Sequence, residues 1–230
     1  MITAANLIMK YYKNVVLNVE SMQINPGEIV GLIGNNGAGK TTMLSLFLDL
    51  IKPAEGYVKI KDKNVARDET WKTYTGAYLN ERFLIPFLTP FEFLTYIGSL
   101  HGKNKADVES FLEANHAFFT EDISGKYIRD LSTGNKQKTG ILGTFLSDPE
   151  LIILDEPFSA LDPSSQAWLK NKLSTLHAEG KTLIVSSHDL KHVTDICKRI
   201  LLIEKGKIVM DLNVNAETLP KLEEYFMVKQ

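Results

Sequence analysis

Apolar and polar positions alternate along this chain in two rhythms. Leu151-Ile-Ile-Leu154, Thr182-Leu-Ile-Val185 and Ile200-Leu-Leu-Ile203 are short, nearly unbroken apolar runs. That is the pattern of strands covered on both faces. Glu28-Ile-Val-Gly-Leu-Ile33 has the same character, and Gly56 to Ile60, Tyr74 to Leu79 and Lys207 to Met210 are further strand candidates. Helix-period spacing predicts helices over Thr42 to Ile51, over Ser164 to Glu179, and through Leu190, Val193, Ile196 and Cys197, with a short amphipathic helix at the end. Strands and helices in alternation imply an α/β fold with a mostly parallel central sheet.

Two regions depart from that rhythm. Ile2 to Met9 and Val15 to Ile24 read as consecutive strands, an N-terminal antiparallel β region, before the turn Asn25-Pro26-Gly27. From about Phe83 to Arg129 the strand signals fade, and Phe91 to His101 and Ala106 to Phe118 read as helices. Ser132 then caps a helix to about Phe145. Residues 83–145 therefore form an inserted helical lobe, with 1–82 and 146–230 as the α/β core of one domain.

Between the strand at Ile33 and its helix lies Gly34-Asn35-Asn36-Gly37-Ala38-Gly39-Lys40-Thr41-Thr42, which fits the P-loop pattern G-x-x-x-x-G-K-[ST]. Glycines let backbone N–H groups turn inward at a helix N-terminus and form a cradle for phosphate. Lys40 would reach the outer phosphates and the Thr41 hydroxyl would ligate Mg²⁺. The run Leu151 to Leu154 ends in Asp155-Glu156, placing two acids at the carboxyl edge of a parallel sheet. Asp155 could hold Mg²⁺ through water, which leaves Glu156 free to polarise an attacking water.

Composition narrows the field. The 26 basic and 28 acidic residues nearly balance, giving no electrostatic case for nucleic acid. A single cysteine, Cys197, excludes an internal disulfide and suits a reducing compartment. Met1 to Lys10 has no secretory signal pattern. Phe83 to Leu100 approaches a membrane span in length with Glu92 as its one charge, but Pro86 and Pro90 interrupt it and Thr89-Pro90 reads as a helix start.

Gly34 to Thr42, Asp155-Glu156-Pro157, Ser159-Ala-Leu-Asp162 and Val185-Ser-Ser-His188-Asp-Leu190, in this order, resemble the ATP-binding subunit of an ABC transporter. Leu131-Ser-Thr-Gly-Asn-Lys-Gln137 is similar to the family signature Leu-Ser-Gly-Gly-Gln, with Thr133 and Asn135 departing from it. The resemblance implies a P-loop NTPase that binds ATP and Mg²⁺ and hydrolyses ATP in a head-to-tail dimer. Asn35, Asn36, Gly37, Ala38, Gly39, Lys40, Thr41 and Thr42 would hold the phosphates, with Asn35 where the family commonly has proline. Ser132 and Gly134 would cap the γ-phosphate of ATP held by the opposite subunit. His188 would hydrogen-bond the γ-phosphate of its own site. Asp162 would meet its counterpart across the dimer while also capping the helix that starts at Pro163.

Two further assignments follow from the resemblance. Tyr11 aligns with the adenine-stacking aromatic, and Tyr12 competes for that role. Asn80 stands at the glutamine-loop position that contacts Mg²⁺ or its water, with Glu81 as the substitute. Partners are then a second ATP-binding subunit, identical or not, and separate transmembrane permease subunits that hold the chain peripherally on the cytoplasmic face. Glu81-Arg-Phe-Leu-Ile-Pro-Phe-Leu-Thr-Pro90 resembles exporters of antibiotics, peptides or lipids, and no C-terminal regulatory domain like that of sugar importers follows. The apolar stretch Phe83 to Leu100 either docks the permease or fills the lobe's own core. Two rivals are a soluble ABC-type ATPase acting mechanically and a P-loop kinase or GTPase; the latter leaves Leu131 to Gln137 and His188 unexplained.

Overall fold

A computed structural model describes residues 1–119 and 125–228. Residues 120–124, within the expected helical lobe, lie outside it. The apolar runs become one sheet. β3 (Ile29–Ile33), β6 (Thr75–Tyr78), β7 (Leu151–Leu154), β8 (Thr182–Ser187), β9 (Arg199–Glu204) and β10 (Lys207–Asn213) lie in the order β10-β9-β3-β8-β7-β6. All pairs are parallel except the edge pair β9–β10.

The two-residue period of a strand sorts each run into two cores. Ile29 and Ile33 of β3, Ile152 and Leu154 of β7, Leu183 and Val185 of β8, and Ile200 and Leu202 of β9 enter one cluster. Val30 and Leu32, Leu151 and Ile153, Ile184, and Leu201 and Ile203 enter the other. Burial on both faces is why these strands read as unbroken apolar runs rather than alternating ones.

The second cluster is closed by α1 (Lys40–Phe47) and by a separate antiparallel sheet. That sheet has the order β2-β1-β4-β5, from β1 (Ile2–Tyr11), β2 (Asn14–Ile24), β4 (Glu55–Ile60) and β5 (Lys63–Asn64). The first cluster is covered by α5 (Pro163–Ala178), α6 (Leu190–Ile196) and α7 (Thr218–Met227), and by the helical segment. Within that segment, α2 (Pro90–Leu100) and α3 (Lys105–Ala114) start with reciprocal capping boxes, Thr89 with Glu92 and Asn104 with Asp107. α4 (Thr133–Leu146) starts at Ser132, whose Oγ accepts from the Asn135 N–H at 3.3 Å.

Two helices are shorter than their apolar periodicity. α1 stops at Phe47 because Asp49 takes a left-handed backbone and Leu50 N donates back to Ser45 O at 2.9 Å. α3 stops at Ala114, and Phe118 is buried from the turn beyond it, stacked 4.3 Å from Trp168. The stretch Phe83 to Leu100 divides between core and surface. Leu84, Phe93 and Leu94 are buried in the first cluster, whereas Phe83, Phe87, Tyr96 and Leu100 are exposed. Among the described residues no helix is long and apolar enough to cross a membrane.

Candidate functional site

Strand order decides which loops meet. β3 delivers the glycine loop, β7 delivers Asp155 and Glu156, and β8, hydrogen-bonded to both, ends in Ser186 and Ser187 with His188 just beyond. All three carboxyl ends therefore open at one edge of the sheet. In the loop, Gly37 and Gly39 adopt φ of 80° and 110°, a region that costs other residues dearly. These turns set residues 35–42 around a cleft of about 270 Å³. Tyr11, Val16 and Glu156 complete its lining. Tyr12 is fully exposed and outside the cleft, so the hairpin between β1 and β2 presents Tyr11 and turns Tyr12 away.

The charged groups are held by one another. Lys40 Nζ, nearly buried, donates to Gly34 O at 2.6 Å and lies 3.2 Å from Glu156 Oε1, without hydrogen-bond alignment to it. Glu156 Oε2 meets His188 Nδ1 at 2.8 Å and the His188 N–H at 3.3 Å. Glu156 thus sits between two candidate phosphate-binding side chains, Lys40 and His188. Its backbone has φ of 48°, unusual for a residue with a Cβ, and this swings the side chain back toward the loop. The Glu156 N–H donates to Ser186 Oγ at 2.9 Å, and its carbonyl accepts from Gln137 Nε2 and from Ser159 Oγ, each at 3.0 Å.

Asp155 is buried and doubly bonded. The Thr41 hydroxyl donates to its Oδ2 at 2.5 Å and the Ser186 hydroxyl donates to its Oδ1. Burial raises its carboxyl pKa, and the Ser186 and Thr41 hydrogen bonds offset part of that rise. A hydroxyl and a carboxylate in contact are hard oxygen donors that suit Mg²⁺. No group of three or more His, Cys, Asp or Glu side chains able to hold a metal occurs among the described residues. Such a donor pair fits an ion bound mainly through water and substrate phosphates.

Other sequence-derived candidates lie farther from the loop. Ser132 is exposed at the N-terminus of α4, with Gly134 in the first turn. Asp162 caps α5, accepting from Ser165 N at 2.9 Å, and hydrogen bonds from Ser164 and Ser165 hold its carboxyl well below the usual range. Asn80 follows β6 beside the carboxylate-bearing β7, but its Oδ1 accepts from Arg82 N at 3.0 Å and so caps a local turn. Glu81 faces Lys136 at 3.6 Å. Ser186, Gln137 and Lys138 were missed in the sequence. The one available signal was a serine closing an otherwise apolar strand.

A sequence model of the ABC transporter family matches residues 17–159. The chain belongs to the ABC transporter family. Within it, the chain is similar to ATP-binding subunits. An uncharacterized ABC transporter ATP-binding protein of Methanocaldococcus jannaschii is 32% identical over 209 residues, 90% of this chain and 76% of that protein. The bacitracin transport ATP-binding protein BcrA of Enterococcus faecalis is 33% identical over 217 residues, covering 93% and 70%. A solved ATP-binding subunit of an ABC transporter superposes with a TM-score of 0.88 at 26% identity, covering all of both chains. A bacterial ABC transporter cassette solved as a dimer superposes with a TM-score of 0.84 at 26% identity, over 94% of this chain and 100% of that one.

Proposed function

We propose that this chain powers an ABC exporter by hydrolysing ATP in a head-to-tail dimer, held by separate permease subunits on the cytoplasmic face of the membrane. One observation carries the reading: Ser132 stands apart from the cleft. The loop, Asp155, Glu156 and His188 converge at the sheet edge, while Ser132 stands exposed at a helix N-terminus outside the cleft lining. A helix N-terminus attracts anions, and the γ-phosphate of ATP bound to a second copy is the anion it suits. A neighbour solved as a dimeric cassette supports that arrangement.

Residues 35–42 bind the phosphates of ATP through backbone N–H groups, and Tyr11 stacks on the adenine. Lys40 and His188 both face Glu156. The γ-phosphate offers both side chains another partner, which frees the Glu156 carboxylate to accept a proton from the attacking water. Thr41 and Asp155 would hold Mg²⁺, with Asn80 or Glu81 as a further candidate ligand; when bound, the ion would supply charge neutralisation at the phosphates. Residues 1–82 and 146–230 act as the catalytic core and 83–145 as the lobe that carries Ser132.

The permease would dock on the apolar cleft where exposed Phe83 meets Leu48, Leu50, Trp71 and Leu79. Transport is supported by the relative named for bacitracin transport, and export by the resemblance of residues 81–90 to exporters. Glu156→Gln with ATP and Mg²⁺ is expected to shift from monomer to dimer on a sizing column, and added Ser132→Arg to abolish the shift. Monomeric hydrolysis indifferent to Ser132 would sink the dimer reading. Failure to co-purify with any membrane protein would favour a soluble mechanical ATPase.

A further inference from the structure

The first turns of α4 grip the segment that follows β7 at three points. Gln137 Nε2 donates to the Glu156 carbonyl at 3.0 Å. Lys138 Nζ lies 3.2 Å from Asp162 Oδ2. Between them, Gly134 packs so closely that a Cβ there would stand 2.7 Å from Ala160 O. Gln137 and Lys138 are buried polar groups, 5% and 8% exposed, and such groups are retained only with partners. The Lys138 ammonium also lies 5.8 Å over the Phe118 ring. α4 does not need either contact for its own start, because Ser132 already caps it.

The gripped carbonyl belongs to the residue with the left-handed backbone. Ser186 holds its N–H, and Gln137 and Ser159 hold its C=O. The direction of the Glu156 carboxylate is therefore fixed from both peptide groups, one of them anchored on α4.

We propose that Gln137 and Lys138 are positioning residues for ATP hydrolysis: by holding the Glu156 carbonyl and the Asp162 carboxylate, they make the start of α4 and the Glu156–Asp162 segment one mechanical body. The helix end that meets the partner's nucleotide then moves together with the glutamate that serves its own. This rests on the roles proposed above for Glu156 and Ser132.

The test compares Gln137→Met, Lys138→Met and Lys138→Arg in the full chain, by steady-state ATPase kinetics and by ATP-driven dimerisation on the Glu156→Gln background. Each methionine variant is expected to lower kcat about tenfold, the loss of one oriented hydrogen bond or ion pair. KM for ATP should stay within about twofold, because neither side chain lines the cleft. Lys138→Arg keeps the charge and should retain most of kcat. Gln137→Met combined with Glu156→Gln should still dimerise with ATP. Wild-type kcat in Gln137→Met, or a KM that rises as far as kcat falls, overturns the proposal. Should Lys138→Met fail to fold, Gln137→Met decides alone. Glu156→Gln run in parallel separates the two layers. If it hydrolyses ATP at the wild-type rate, the role of Glu156 falls and the positioning with it. If it is inactive while Gln137→Met matches wild type, only the positioning falls.

Discussion

Removing one oxygen at Ser186 tests how the carboxylate pair is held. Ser186 has no exposed surface, and its hydroxyl both donates to Asp155 Oδ1 and accepts from the Glu156 N–H at 2.9 Å. A hydrogen bond to a charged group contributes about 1.5–3 kcal/mol and a neutral one about 0.5–1.5 kcal/mol. Thr41 still holds the other Asp155 oxygen at 2.5 Å, so the carboxylate is not left bare. Ser186→Ala should then cost about 2–4 kcal/mol, a fall in thermal midpoint of about 5–15 °C for a chain of this size. Freed on its N–H side, the left-handed Glu156 peptide can relax, and kcat should fall by about tenfold or more while ATP affinity changes little. Ser186→Cys keeps the volume but donates weakly and should resemble alanine more than serine. Urea unfolding of the nucleotide-free protein and steady-state kinetics on the same samples give both numbers. If Ser186→Ala unfolds within 1 kcal/mol of wild type, to order of magnitude, and hydrolyses at the wild-type rate, the bridge carries nothing. A loss of stability at unchanged kcat would make it purely structural.

Two further contrasts are sharp. Tyr11→Ala should weaken ATP binding roughly 5- to 150-fold, the value of one base–aromatic stack, whereas Tyr12→Ala, exposed and outside the cleft, should lie within about twofold in the same fluorescent-nucleotide titration. Equal effects would mean that the hairpin presents either ring. On α4, Gly140→Ala would place a Cβ 2.1 Å from Tyr78 Cε2, an overlap costing about 1–3 kcal/mol or more against about 1 kcal/mol of helix propensity gained. At Gly143 the nearest atom, Phe93 Cε1, is 3.2 Å away, so the ring need give only a few tenths of an ångström and the same substitution should cost less than at Gly140. A urea midpoint that falls as far for Gly143→Ala as for Gly140→Ala would refute the packing argument.

Much of the fold was legible because its signals are local. The glycine loop sits between a strand and a helix within a few residues, and a strand buried on both faces leaves an apolar run that needs no partner to be recognised. Helix ends were less legible because apolar periodicity outlives the helix. Leu50 and Ile51 continue the spacing of α1, yet the chain has already turned at Asp49, and Leu50 becomes part of an exposed apolar cleft. Phe118 likewise extends the spacing of α3 from a turn, because its partner Trp168 comes from distant α5. Asn80 illustrates a different limit: alignment gives its position, but the local turn that accepts the Arg82 N–H decides where its oxygen points.

The site was legible in its parts and not in its connections. Asp155 and Glu156 announce themselves at a strand end, but Ser186, which joins them, lies more than thirty positions away and is informative only once β8 is known to stand beside β7. Gln137 and Lys138 were hidden by the opposite effect. In the sequence they lie in the polar stretch that opens the helix capped by Ser132, with no sign of what covers it. In the fold that stretch is covered, and Asn135, Gln137, Lys138 and Thr139 are all buried. A polar side chain stays buried only where another group satisfies it. A polar run on a covered helix therefore points to whatever it touches, and here Gln137 and Lys138 touch the segment that aims the glutamate.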